Sequence, residues 1–322
     1  MLSIRLSVQR LALLLGVYLL SLSGYSAEVN LLIFGDWGNG GGPEQTAVAK
    51  QAAEYAKKNN IKFDAALLLG DNFYKKMDGG VKDPRWQTEF EKMFDSEVLA
   101  MPFYAALGNH DYEGEKSQMQ LEYSRLHPDG RWKMPAKWYR VNLPEKDPIV
   151  TVLVLDSNYA KLTEDEWKTE TAWFEKQLQR KDNAGWTIAT AHHPLFTAGQ
   201  HGDTKKIIAD WGPVLKKGEL DFFMCGHDHD LQHIEMPGWS TTFLLAGGGG
   251  GKIRPMKRND RGPFTRSLYG FLHLKVTAET ATGTFVTKDG EIPHQFTRSS
   301  TGKIEVLSTT GRDQPGADKG EK

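Results

Sequence analysis

Val29-Asn30-Leu31-Leu32-Ile33-Phe34-Gly35-Asp36-Trp37-Gly38 is an apolar run, broken only by Asn30, that ends in a Gly-Asp turn. A strand buried on both faces reads this way, because a parallel sheet covered by helices leaves no solvent side to alternate toward. Behind it come the loop Gly38 to Pro43 and the segment Glu44 to Asn60, where Ala47, Val48, Gln51, Ala52 and Tyr55 fall at the spacing of an amphipathic helix. Asp64 to Leu69 then repeats the apolar run, and Gly70-Asp71 repeats the turn. A strand, helix, strand unit of this kind crosses over right-handed, leaving the strands parallel with their Gly-Asp turns on one edge.

The cycle recurs along the chain. Trp86 to Phe94 reads as a helix and Phe103 to Leu107 as a strand closed by Gly108-Asn109-His110-Asp111. Glu113 to Leu126 reads as a helix, and Trp138 to Leu143 and Ile149 to Leu155 as strands. Thr163-Glu164-Asp165-Glu166 is a capping box that opens another helix. Strand Trp186 to Ala191 leads into His192-His193-Pro194, Lys205 to Lys216 into a helix, and strand Leu220 to Cys225 into Gly226-His227-Asp228-His229. After Leu231 the texture becomes consecutive strands: Gln232 to Met236, Thr241 to Ala246, Phe271 to Val276, Gly283 to Thr287 and Lys303 to Leu307. Such a run should pair antiparallel. The folded body is expected as one domain over 28–309, with 310–322 a polar tail too poor in apolar residues to order itself.

Lys and Arg number 40 against 41 Asp and Glu, a formal charge of -1 that excludes a global field for nucleic acid or a polyanion. Residues 1–27 place Arg5 and Arg10 ahead of the apolar run Leu11 to Leu22, then small residues up to Ala27. That run is short for a membrane span and reads as a secretory signal peptide, leaving no stable anchor after cleavage. Cys225, the only cysteine, excludes an internal disulfide and reads as a small buried hydrophobe. The absence of any Asn-x-Ser/Thr sequon, together with export, favours a periplasmic or extracellular protein of bacterial origin.

The strand-end blocks hold carboxylates, a phenol, an amide and imidazoles: Asp36, Asp71, Tyr74, Asn109, His192, His227 and His229. In an open α/β sheet, ligands bind beyond the carboxyl ends of the strands, where all these residues fall. Hard oxygen ligands suit a high-valent ion, and imidazole suits a divalent zinc, iron or manganese, so the set fits two adjacent metal ions. Scattered over separate turns, the same histidines would be costly polar groups beside deep apolar strands.

The ordered motifs resemble the calcineurin-like metallophosphoesterases, and among them the small, tartrate-resistant type of purple acid phosphatase, over about residues 29–290. The resemblance implies a four-layer α/β/β/α sandwich, two mixed sheets flanked by helices, around a dinuclear Fe(III)-M(II) centre. It places Asp36, Tyr74 and His229 on Fe(III), Asn109, His192 and His227 on a second divalent ion (Fe, Zn or Mn), and Asp71 between the two. A phenol with a pKa near 10 ionises close to neutrality only beside a strong Lewis acid, so Tyr74 separates the purple group from relatives with paired divalent ions. The long inhibitory loop of the animal members is missing between Asp156 and Trp173, which implies activity without further processing.

Two ions roughly 3.5 to 4 Å apart can bind a phosphate ester and turn a bound water into attacking hydroxide. Phosphomonoester hydrolysis with an acidic optimum follows, with His110 and His201 expected to orient phosphate and protonate the leaving alcohol, and Asp111 to orient His110. Small phosphate esters are the expected substrates, with phosphoproteins and nucleotides as further candidates; oligomeric state stays open. Two alternatives also stay open: a phosphodiesterase or nucleotidase with two divalent ions, and an exported binding protein without catalysis. His193 is expected behind the ligands, and His233 and His273 in structural roles. The run Gly247 to Gly251, with Lys252, Arg254, Lys257, Arg258, Arg261 and Arg266 after it, reads first as a solvated loop, with recognition of the anionic substrate beside the phosphate site as the alternative.

Overall fold

The computed structural model describes residues 27–316, so nearly all of the expected signal peptide lies outside the described residues. Two mixed sheets face each other. In the first, β1 (Val29–Phe34), β2 (Ala65–Leu68), β3 (Phe103–Ala105) and β4 (Trp132–Lys133) run parallel. From β1 the sheet continues antiparallel through β12 (Gly270–Val276), β13 (Thr280–Thr287), β14 (His294–Ser299) and β15 (Ile304–Thr309). The second sheet has the order β11-β9-β10-β8-β7-β6-β5. Its strands are β5 (Tyr139–Leu143), β6 (Val150–Val154), β7 (Trp186–Thr190), β8 (Phe222–Cys225), β9 (Leu231–Glu235), β10 (Thr242–Ala246) and β11 (Phe264–Arg266), with β6, β7, β8 and β10 parallel. The α-helices are α1 (Pro43–Asn59), α2 (Lys116–Leu126), α3 (Glu164–Leu178) and α4 (Lys205–Lys217).

Continuous apolar strands follow from burial on both faces. Along β6, Val150, Val152 and Val154 join the core that contains Ile33, Leu67 and Leu274. Leu153, and Leu155 just beyond the strand, join Trp167, Phe174 and Trp211 beneath α3 and α4. At roughly 1.5 to 3 kcal/mol per fully buried aliphatic side chain, neither face can be given up to water. The capping box forms as the sequence implies: Glu166 donates its amide to Thr163 Oγ1 at 3.2 Å, and Thr163 donates its own to Glu166 Oε2 at 2.8 Å.

The differences from expectation are local. Trp86–Glu91 is a π-helical turn, and the segment expected as one helix from Glu113 is a 3-10 turn, His110–Glu115, broken from α2 at Glu113 and Gly114. Gly114 and Glu115 both adopt φ of 62°, which a continuous α-helix cannot accommodate. Strands β4, β11 and β14 are not legible in the sequence; β14 turns His294, Phe296 and Arg298 inward, and only one of these is apolar. The expected disordered tail also starts too early. Thr310 donates its amide to the Pro293 carbonyl at 2.7 Å, Arg312 bridges Thr265, and the Gly316 amide reaches the Met256 carbonyl at 2.8 Å.

Glu170 of α3 is buried, with its Oε1 accepting the Asp156 amide at 2.6 Å and its Oε2 unpartnered. Burial, and then the charge of Asp156, push its carboxyl well above the ordinary value. Above the unfolded-state pKa, the native protein therefore keeps a proton that the unfolded chain has lost, and stability falls as pH rises. Glu170→Gln keeps the acceptor without the charge. It should melt higher than wild type at pH 7, with the gap closing by pH 4. Glu170→Ala should cost about 1–3 kcal/mol at both, since the Asp156 amide is stranded.

Candidate metal centre

The parallel strands of both sheets end on one edge, and their terminal loops are bonded across it. Gly35 donates its amide to the Ala246 carbonyl at 2.8 Å, Asp36 to that of Gly70 at 3.0 Å, and Gly226 to that of His192 at 3.1 Å. Asp36, Asp71 and His227 hold φ of 59°, 50° and 70°, a left-handed region that side chains seldom enter. The surrounding loops must hold these turns in place, and each aims a donor into the same space. The Gly247–Gly251 run is buried here. Gly249 and Gly251 donate amides to the Gly35 and Asp36 carbonyls at 3.1 and 2.6 Å, an approach that a Cβ at Gly249, 2.3 Å from the Gly35 carbonyl oxygen, would block.

All the sequence-predicted ligands converge. Tyr74 Oη lies 3.2 Å from Asp36 Oδ1 and 3.0 Å from His229 Nε2, which is itself 3.4 Å from Asp36 Oδ1. His192 Nε2 lies 3.1 Å from Asn109 Oδ1, 3.1 Å from His227 Nδ1 and 3.4 Å from Asp71 Oδ2. Asp36, Asp71 and His192 bring ligand atoms within 4.8 Å of one another, joining the two groups. His192 Nδ1 faces the Leu69 carbonyl at 2.9 Å and His229 Nδ1 that of Lys252 at 2.8 Å. Both Nδ1 atoms thus donate, and both Nε2 atoms point inward.

Acceptors outnumber protons in this cluster, and the shortage fits metal cations. Burial alone would raise the Asp71 carboxyl, but the charge and hydrogen bond of His192 bring it down to about 2. Burial opposes a charged His192, while Asp71 pushes it up to about 10. Burial, and then Asp36 and Asp71, push the Tyr74 phenol well above its ordinary value, so only a strong Lewis acid could remove its proton.

The supports come from elsewhere in the chain. Lys116 is buried and donates to the Tyr74 carbonyl at 3.0 Å, while Arg85 donates to the carbonyls of Lys75 and Gly38 at 2.5 and 3.3 Å. Asp111 does not orient His110, contrary to the sequence reading. Its buried carboxylate accepts the amides of Gly108 at 2.8 Å, Asn72 at 3.0 Å and Phe73 at 3.1 Å, because the 3-10 turn carries it back toward the Asp71 loop. His110 instead pairs its Nδ1 with Glu113 at 3.1 Å and lays its ring 4.8 Å from that of Tyr74.

His201 holds Asp228 Oδ1 through Nδ1 at 2.8 Å, and its Nε2 lies 2.9 Å from Arg254 Nη1. A guanidinium only donates, so in this arrangement Nε2 carries a lone pair and not the proton expected for the leaving group. His193 has a ring nitrogen within 4.8 Å of those of His192 and His227. Ser157 accepts both the His192 and His193 amides, so its hydroxyl proton goes to His193 Nδ1 at 2.9 Å, leaving the hydrogen on Nε2. That tautomer suits a neighbour of the ligands, as expected, and burial pushes this imidazole down to about 3. His233 pairs with His294 and Glu235, and His273 with Tyr55 and Asn30, both away from the centre.

A cavity of about 280 Å³ opens over the cluster, lined by His110, His201, Asn39, Lys252 and Arg254 besides the donors. Lys252 and Arg254, expected in a solvated loop, thus face the centre. A larger cavity, about 700 Å³, lies at the opposite ends of the strands around Thr187, Asp221 and Arg298 and holds none of these donors.

Residues 29–231 match the calcineurin-like phosphoesterase family. The chain belongs to that family. It is 31% identical to purple acid phosphatase 7 of Arabidopsis thaliana over 297 residues, covering 84% of this chain and 86% of the relative. It is 28% identical to human tartrate-resistant acid phosphatase type 5 over 300 residues, covering 83% and 90%. Among solved structures, the fold is shared with yellow lupin purple acid phosphatase PPD1, at TM-score 0.65 and 17% identity over 85% of this chain and 54% of that one. It is shared too with GAP50, the anchor in the inner membrane complex of Plasmodium, at TM-score 0.71 and 22% identity over 89% and 91%. The phosphoesterase chain thus stands with the purple acid phosphatases, hydrolases built around a dinuclear metal centre. These relatives, from plants and mammals, lend no support to a bacterial source. Among the described residues, no helix is long and apolar enough to cross a membrane.

Proposed function

We propose that this phosphoesterase hydrolyses phosphate monoesters at acidic pH, with Asp36, Tyr74 and His229 holding Fe(III) and Asn109, His192 and His227 holding a divalent iron, zinc or manganese. Asp71 serves both ions. The observation that carries the iron assignment is Tyr74 Oη, between Asp36 and His229 at 3.2 and 3.0 Å on a half-buried side chain at the floor of the cavity. When bound, the pair supplies positive charge to the phosphate oxygens and acidifies the attacking water.

The chain's own groups do the rest. His110, half-exposed at the mouth with Nδ1 on Glu113, keeps Nε2 for a proton that passes to the leaving alcohol. His201, fixed by Asp228, presents its ring to the same cavity and orients the ester with Arg254. Export, supported by the N-terminal apolar run, belongs to the same reading. The fold is also that of an anchor protein, so the complete donor set, not the architecture, argues for catalysis.

Purified protein should be coloured by phenolate-to-iron charge transfer. Tyr74→Phe should abolish the visible band while changing stability by only about 1 kcal/mol, the scale of one hydrogen bond. A colourless, fully metallated and active wild type would overturn the iron assignment; metal analysis beside the spectrum decides it.

A further inference from the structure

Beyond His201 the metal cavity meets a second, roomier one of about 650 Å³, with that imidazole lining both. Two loops build the second cavity. Lys257 and Arg258 donate amides to the Ala198 carbonyl at 2.9 and 3.2 Å, and Gln200 Nε2 donates to the Pro255 carbonyl at 2.7 Å. Arg261 adds a two-pronged bond to Asp203 at 2.5 and 2.6 Å, its side chain 8% exposed. The groove is therefore a formed feature with cross-bonded walls.

Its charges are unequally satisfied. Asp203 is engaged by Arg261, and Asp260 accepts both prongs of Arg258 at 2.5 Å. Lys205 and Lys257 line the same groove, and among the described residues neither ammonium has an ion-pair partner. Arg254 stands at the junction, its guanidinium donating to His201 Nε2 at 2.9 Å rather than to a carboxylate. The chain as a whole is close to neutral, so this cation excess is a local construction.

We infer that the groove is a second anion subsite, and that the preferred substrates are small phosphate monoesters whose leaving group carries a second phosphate. This deepens the phosphatase reading and rests on it. The scissile phosphate would occupy the metal cavity beside Arg254, and the second would sit one imidazole away between Lys205 and Lys257. Because a single imidazole lines both cavities, the leaving group that joins the two phosphates is short, such as a sugar or polyol. A phosphate presents several acceptor oxygens to two ammonium groups, each with three donors.

The test uses the metal-loaded protein. Calorimetry should give propane-1,3-diphosphonate, which cannot be hydrolysed, an affinity roughly ten-fold above that of propylphosphonate, the scale of two exposed charge contacts. Lys205→Met with Lys257→Met should remove that advantage. The same variant should keep wild-type melting, propylphosphonate affinity and p-nitrophenyl phosphate turnover, while losing the preference for fructose 1,6-bisphosphate over fructose 6-phosphate. Equal affinities in the wild type, or an advantage surviving the double substitution, would overturn the inference. A wild type that binds the diphosphonate selectively but does not turn over p-nitrophenyl phosphate keeps the subsite and removes the phosphatase reading instead.

Discussion

Asp71→Asn should lower phosphomonoester turnover by about a thousandfold or more and leave the protein short of its full metal content. Two adjacent cations contribute several kcal/mol of charge stabilisation to phosphoryl transfer, and each 1.36 kcal/mol is worth tenfold in rate. Asp71 is the carboxylate that ligand-atom distances place with both Asp36 and His192. An amide oxygen occupies the same volume without the negative charge that offsets two neighbouring cations. The fold should survive, because Asn can still accept the His110 amide that Asp71 Oδ1 accepts at 2.9 Å. The combination is diagnostic: retained melting, lost metal and lost turnover. Full turnover with two bound ions would show that the centre does not depend on Asp71.

How far the sequence reaches can be judged from particular residues. Strand β1 and the turn at Asp36 are legible because both signals are local: a doubly buried run, then a polar residue at the strand end. The convergence of Asp36 with His229 was available only through topology, since parallel strands must end on one edge. Asp111 was misread because adjacency to His110 suggests contact, whereas the turn sends its carboxylate toward the amides of Asn72 and Phe73. Asp228 is missed, and the solvated reading of Arg254 fails, for the converse reason. Asp228 reads as a spacer between two histidines and Arg254 as one cation among many, and only the folded loops bring both onto His201. Strand β14 hid because its inward face is built from His294 and Arg298, which no apolar pattern reports.

Gly108→Ala should be nearly as damaging as losing a ligand, although it adds a single methyl group. A Cβ built on Gly108 would stand 2.2 Å from both the Asp71 amide nitrogen and Asp71 Oδ1. Neither atom can yield cheaply. The Asp71 backbone sits at φ 50°, its carboxylate is fixed by the His110 amide, and Gly108 itself donates to Asp111 Oδ2 at 2.8 Å. The methyl must therefore displace the carboxylate or the end of β3. Displacement by about 1 Å in a positioned site can cost roughly a hundredfold in rate, and overpacking costs about 1–3 kcal/mol in stability. Gly108→Ala should show both, together with weaker metal retention on dialysis against a chelator. Gly185→Ala is the control, since a Cβ there meets nothing within 4 Å and its melting and turnover should not move. If Gly108→Ala matched that control in metal content and rate, the close contact between these two loops would not be what positions Asp71.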